Sequence, residues 1–199
     1  MIKILAIFGS PRRNGNTDRL LEAFLAGPAA ASIACRRVRV SEMEFTPCTG
    51  CGMCEEKGHC VIPDGMQVVY EWIDDADLVV LASPVYFYGL TAQAKALVDR
   101  SQAMWARKYR LGVTGAKTKA GFLISTGGSK GRRLFECVEL TVKYFCDAID
   151  ARYLGSLTIR SLDRMGDVER HPEYLEQARD AGRRIVAEWS ASAEGSQAS

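Results

Sequence analysis

Apolar positions along this chain follow two alternating rhythms. Ile2–Phe8 (IKILAIF) is a short, mostly apolar run closed by Gly9, as expected of a strand buried on both faces. A stretch with a helical stripe follows: Thr17–Leu25 puts Leu20, Leu21, Phe24 and Leu25 on one face and ends near Gly27-Pro28. Arg36–Val40 alternates apolar and charged residues like a half-exposed strand. Asp64–Asp75 is helical, with Met66, Val69, Trp72 and Ile73 on one stripe, and Asp77–Ser83 (DLVVLAS) is another buried strand. Further on, the pattern predicts a helix over Thr91–Trp105, a basic loop RKYRLGVTGAKTK and a strand over Ala120–Ser125. A helix over Arg133–Asp147, a strand over Ala151–Ile159 and an amphipathic helix over Pro172–Trp189 complete it.

Strands alternating with helices predict an α/β fold, a parallel sheet with helices on both faces. Five strands suit the flavodoxin-like, doubly wound order 2-1-3-4-5 in three α/β/α layers, with ligands above the carboxyl ends of the strands. No repeat or linker divides the chain. It reads as one domain over 1–189, with a cysteine loop at 47–63 and a small, polar, disordered tail at 190–199.

Composition narrows the class. The 199 residues carry 26 Lys and Arg against 24 Asp and Glu, a net charge of +2. That balance gives no reason to expect nucleic acid or an anionic membrane as partner. No apolar run approaches the ~20 residues of a membrane span. The start, MIKILAIFGSPRR, reads as a first strand rather than a signal peptide, which points to the cytoplasm. Seven cysteines in a reducing compartment suggest metal or redox chemistry rather than disulfides. Cys35, Cys137 and Cys146 fall in strand or helix patterns and read as small buried hydrophobes.

The other four fall within thirteen residues, CTGCGMCEEKGHC, with Cys48, Cys51, Cys54 and Cys60 in C-x2-C-x2-C-x5-C spacing. One short loop can then aim every thiolate at a common point, as iron–sulfur clusters require. Zinc is the competing metal, but its sites pair two separate C-x2-C arms, and here the knuckles share Cys51. His59 reads as a solvated neighbour. After the first strand, GSPRRNGNT offers Ser10, Arg12, Arg13, Asn14, Asn16 and Thr17 ahead of a helix start, a composition suited to phosphate. It is neither the dinucleotide fingerprint nor the P-loop. After the third strand, Pro84, Val85, Tyr86, Phe87, Tyr88 and Gly89 suit a flat amphipathic ring. After the fourth come Ser125, Thr126, Gly127 and Gly128. Together these three loops would hold a phosphate, a ring and a polar chain, the parts of FMN. Alone, the first and last also read as ordinary capped turns, and the aromatic one as a core or subunit-contact cluster. Arg107, Lys108, Arg110, Lys117 and Lys119 would suit a nucleotide phosphate or acidic partner, or form a solvated basic loop.

With these residues the chain resembles the flavodoxin-like NAD(P)H-dependent FMN reductase family, and more closely its iron–sulfur flavoprotein branch. GSPRRNGNT resembles the family's phosphate loop, SPVYFYG with Lys95 and Asp99 the stretch flanking the isoalloxazine ring, and STGG the third flavin loop. The resemblance implies FMN, one 4Fe-4S cluster on Cys48, Cys51, Cys54 and Cys60, and homodimers or homotetramers. The expected function is an FMN-dependent oxidoreductase passing electrons between NAD(P)H or ferredoxin, FMN and the cluster, with no catalytic acid or base. The alternatives are a cluster-free NAD(P)H-dependent FMN or quinone reductase with free thiols, and a non-enzymatic, metal-stapled binding module.

Overall fold

A computed structural model describes every residue except Ala116, Ala198 and Ser199, with side chains described outside 192–197. Five parallel strands form one sheet: β1 (Ile2–Phe8), β2 (Ile33–Arg39), β3 (Leu78–Pro84), β4 (Lys119–Gly127) and β5 (Ala151–Arg160). Their order, β2-β1-β3-β4-β5, is the flavodoxin-like one. The helices are α1 (Asn16–Leu25), α2 (Met53–Lys57), α3 (Met66–Asp75), α4 (Ala92–Arg100), α5 (Gln102–Tyr109), α6 (Glu136–Ala148) and α7 (Pro172–Gln197).

Successive residues of the inner strands feed opposite layers, because side chains alternate across a strand. Ile4, Ala6, Phe8, Val80, Phe122 and Ile124 pack under α1 and α7, against Leu20, Leu21, Phe24, Ala178 and Ile185. Leu5, Ile7, Val79, Leu81 and Leu123 face the other way, onto Met66, Val69, Ile73, Leu97, Val138 and Val142. Phe24 and Phe122 stack at 5.4 Å in the first layer.

Four expectations need adjustment. β2 begins at Ile33, because Ile33, Ala34 and Cys35 pair in register with Ile2, Lys3 and Ile4. The single helix expected over Thr91–Trp105 is broken at Ser101, whose hydroxyl donates to the Leu97 carbonyl at 3.3 Å, a back-bond that bends helices. Its second half runs to Tyr109, into the stretch expected to be a basic loop. The last helix continues to Gln197, past the expected break at Ser190; the final two residues of the expected tail lie outside the described residues. Among the remaining cysteines, Cys146 is buried, Cys35 half-buried and Cys137 exposed, so Cys137 is no core residue. Burial pushes the Cys146 thiol up to about 12. Among the described residues no helix is long and apolar enough to cross a membrane.

Candidate functional site

All five strands run the same way, so the segments leaving their carboxyl ends meet at one rim. A hollow of about 100 Å3 there is lined by Ser10, Arg12, Asn16 and Thr17 after β1, Pro84, Val85 and Tyr86 at the end of β3, and Thr126, Gly127 and Gly128 at the end of β4. Hydrogen bonds lock these segments together. The Thr17 and Thr126 hydroxyls meet at 2.7 Å, and the Val85 amide donates to the Thr126 carbonyl at 2.8 Å. Thr91 caps α4 by accepting from the Ala94 amide, while its hydroxyl donates to the Gly9 carbonyl. α1 starts after Gly15 with no side-chain cap on its first amides. Those amides have no intrahelical partner and are oriented to receive an anion.

Not every residue of the three motifs turns inward. Arg13 pairs with Glu42 at 2.8 Å, and Asn14 (φ 56°) donates its amide to Asp18 at 3.0 Å. The Asp18 carboxyl is pushed up by burial, against the pull of Arg39 and the Asn14 amide. Ser125 lies under the rim and donates to the Ser83 carbonyl at 2.8 Å. Phe87 (φ 48°) and Tyr88 (φ 62°) form the tip of a tight turn closed by two bonds between Tyr86 and Gly89. Two successive non-glycine residues at positive φ are costly, on the order of 1 kcal/mol or more each, and Phe87 stands fully in solvent. Lys95 and Asp99, compared by resemblance with residues beside the ring, pair with each other at 2.6 Å along α4 instead.

Sequence reasoning missed the segment after β5. Leu162, Asp163 and Met165 complete the lining. Asn16 fastens them from below, donating to the Arg164 carbonyl at 2.9 Å and accepting from the Val168 amide at 3.1 Å. This stretch carries no motif, yet a fifth parallel strand has to end at the same rim.

A second hollow, of about 220 Å3, is lined by Cys48, Cys51, Cys54 and Cys60, with Gly50, Gly52, Val61 and Ile62 from the same loop. Helix α2 carries Cys54 and is bracketed by Gly52 (φ 73°) and Gly58 (φ 70°), both left-handed, which folds the short run back on itself. Burial pushes the Cys54 thiol up; its own amide pulls it down, and the charges of Cys48, Cys60 and Cys51 add to the rise. Among the described residues, no three His, Cys, Asp or Glu side chains are grouped as for one bound metal ion. His59 hangs outside, its Nδ1 2.9 Å from the Lys57 carbonyl.

The scaffold side of this hollow is Arg100, Gln102 and Ala103. Arg100, the last residue of α4, is 1% exposed. It grips Asp64 through both terminal nitrogens, at 2.7 and 3.0 Å, and the Thr46 carbonyl at 2.5 Å. Asp64 also accepts the amides of Thr46 and Met66. Burial raises its pKa, but Arg100 and those amides outweigh burial and hold the carboxyl below the usual range. Thr46 precedes the cysteines and Asp64 follows them, so this cluster closes the neck of the loop.

Among the described residues of the basic stretch, each cation has a partner. Arg107 forks onto Asp74 at 2.8 and 2.7 Å, Lys108 meets Asp147 and Asp150, Arg110 meets Glu55 and Lys117 meets Asp77. Lys119 is buried, with its ammonium 3.2 Å from the Ile149 carbonyl. Arg107, Lys108, Arg110 and Lys117 are thus held in ion pairs, while Lys119 is turned inward.

Fold and rim together define a flavodoxin-like protein with an anion-ready carboxyl edge. The chain belongs to the NADPH-dependent FMN reductase family, whose model matches residues 2–156. An iron–sulfur flavoprotein of Methanocaldococcus jannaschii is 37% identical over 129 residues, covering 65% of this chain and 64% of that protein. One from Methanosarcina thermophila is 36% identical over 129 residues, again 65% of each chain. The matched region is therefore a little under two thirds of either relative's length. Among solved structures, an NAD(P)H:quinone oxidoreductase from Methanothermobacter marburgensis shares the fold at a TM-score of 0.70 and 17% identity, covering 92% of this chain and 96% of that one.

Proposed function

We propose that this chain is an FMN-dependent oxidoreductase that passes electrons between NAD(P)H or ferredoxin, FMN at the rim and a 4Fe-4S cluster in the cysteine hollow. The observation that carries the reading is that all four thiols of one thirteen-residue run line one hollow, on the same chain as the rim. A lone zinc ion draws thiolates to about 2.3 Å. A space of about 220 Å3 whose lining includes all four cysteines has room for a larger group, and four cysteine thiolates are the ligand set of a 4Fe-4S cluster.

FMN supplies two-electron hydride chemistry and single-electron release, and the cluster supplies one-electron transfer. The protein's part is binding and electrostatics. The open amides at the start of α1, with the Ser10, Thr17 and Thr126 hydroxyls, receive the phosphate, and Arg12 at the pocket edge offsets its charge. Pro84, Val85 and Tyr86 offer backbone and an aromatic face to the ring. Cys48, Cys51, Cys54 and Cys60 hold the cluster as thiolates, a form that metal binding favours by releasing their protons. No side-chain acid or base is assigned.

Homodimers or homotetramers and a cytoplasmic setting belong to the same reading. Protein purified without oxygen is expected to carry about four iron and four sulfide per chain, with one FMN. Bound FMN and NAD(P)H oxidation without iron would favour the free-thiol reductase. A colourless protein that ignores added FMN would leave only the binding module.

A further inference from the structure

Arg100 does more than the neck of the loop requires. Its two terminal nitrogens are taken by Asp64 and the Thr46 carbonyl, but its Nε is buried with no partner. The residue is 1% exposed and shares the lining of the hollow with all four cysteines. A buried donor left unpaired is unfavourable, and such groups are rare without a reason. The nearby Tyr70 O–H donates to the Arg100 carbonyl at 2.8 Å and the Gln67 amide to the Cys60 and Ile62 carbonyls, and neither bonds to Nε. The hollow lined by the four cysteines adjoins Arg100.

We propose that Arg100 is a positioning and charge-setting residue for the thiolate-bound cluster. Its Nε–H is reserved for a sulfur of that group, and its buried positive charge favours the group's more negative, reduced state. This rests on the reading that Cys48, Cys51, Cys54 and Cys60 hold a cluster. Hydrogen bonds to sulfur and local charge are the levers by which a protein tunes a cluster's potential. Asp64 acts in the opposite sense, because its carboxylate offsets part of the guanidinium charge. The pair therefore separates charge-setting from mere loop closure. Removing the cation and removing the anion both loosen the neck, but they shift the local charge in opposite directions.

The experiment compares wild type, Arg100→Met and Asp64→Asn, purified without oxygen. Iron and sulfide are counted first, and the cluster's midpoint potential is then titrated by the EPR signal of its reduced form, which keeps it apart from the flavin. Arg100→Met is expected to titrate at a lower potential than wild type, and Asp64→Asn at a higher one. Unchanged potentials, or shifts in the same direction, would reduce Arg100 to a structural clasp and overturn the proposal. If Arg100→Met fails to fold or load, Asp64→Asn decides alone: a rise supports the proposal, and no change or a fall overturns it. A wild type without iron and sulfide would bring down the cluster reading and this inference with it. A loaded wild type with unmoved potentials overturns the inference alone.

Discussion

The rim and the cysteine hollow are built on opposite plans. The rim gathers segments far apart in sequence, from Ser10 to Met165, and each is held by a strand of the buried sheet. Cross-bonds such as Thr17 to Thr126 and Asn16 to Val168 tie those segments directly to one another. The hollow takes all its sulfurs from one local run, held at the Thr46–Asp64–Arg100 neck and by the Gln67 and Arg110–Glu55 contacts. A site fixed by many strands keeps its shape without a ligand. A site built on one local run depends on those few ties and on what it binds. The two should therefore fail independently and for different reasons.

Three substitutions test that independence. The largest effect is expected from Cys54→Ser, which removes the thiol from the middle of the hollow. Iron and sulfide should vanish with the broad visible absorbance of the cluster, while FMN per chain stays at the wild-type value. Iron retained in full would remove Cys54 as a ligand; loss of FMN as well would show the sites to be coupled.

Asp64→Asn is expected next, costing the metal-free protein about 2 kcal/mol, because it weakens a charged bond and leaves the buried Arg100 cation uncompensated. The sign with pH follows from the lowered carboxyl of Asp64. Its stabilisation is complete above the ordinary carboxylate range of about 3.9 and is lost as pH falls through the lower folded value. Thermal unfolding should show a constant gap between wild type and variant from pH 7 to 5, closing only in strongly acid solution. A gap that closes already near neutrality would contradict the neck.

The smallest effect is expected at the rim. Thr126→Val keeps the shape of the strand residue but deletes one hydroxyl and its 2.7 Å partner bond. FMN binding to the flavin-free protein should weaken about tenfold, in line with roughly 1.4 kcal/mol for one bond, with iron content untouched. Unchanged affinity in a fluorescence titration would exclude Thr126 from the phosphate site.

Legibility in the sequence followed the same division. β1, β3 and β4 are inner strands buried on both faces, and such strands leave apolar runs that are easy to read. The loops that follow them were legible for the same reason. Orientation within a loop was not: spacing alone does not say that Arg13 turns to Glu42 while Arg12 lines the hollow. Helix α2 was hidden because five residues between two left-handed glycines make no periodic stripe. The break at Ser101 was hidden because the apolar pattern runs straight through it. Arg100 fell inside the expected Thr91–Trp105 helix; only the tertiary structure places a full positive charge inside the protein beside the thiols.

One helix has a further consequence. α4 begins beside Thr91, which is bonded to Gly9 at the root of the loop after β1, and ends with Arg100 in the wall of the cysteine hollow. Nine residues at 1.5 Å each make it a ruler of roughly 14 Å. Its length fixes both the spacing and the bearing of the two centres. A single residue inserted between Ala92 and Arg100 would turn the guanidinium by about 100° around the axis, away from the thiols. Along this stretch an insertion or deletion should be far less tolerable than a change of side chain.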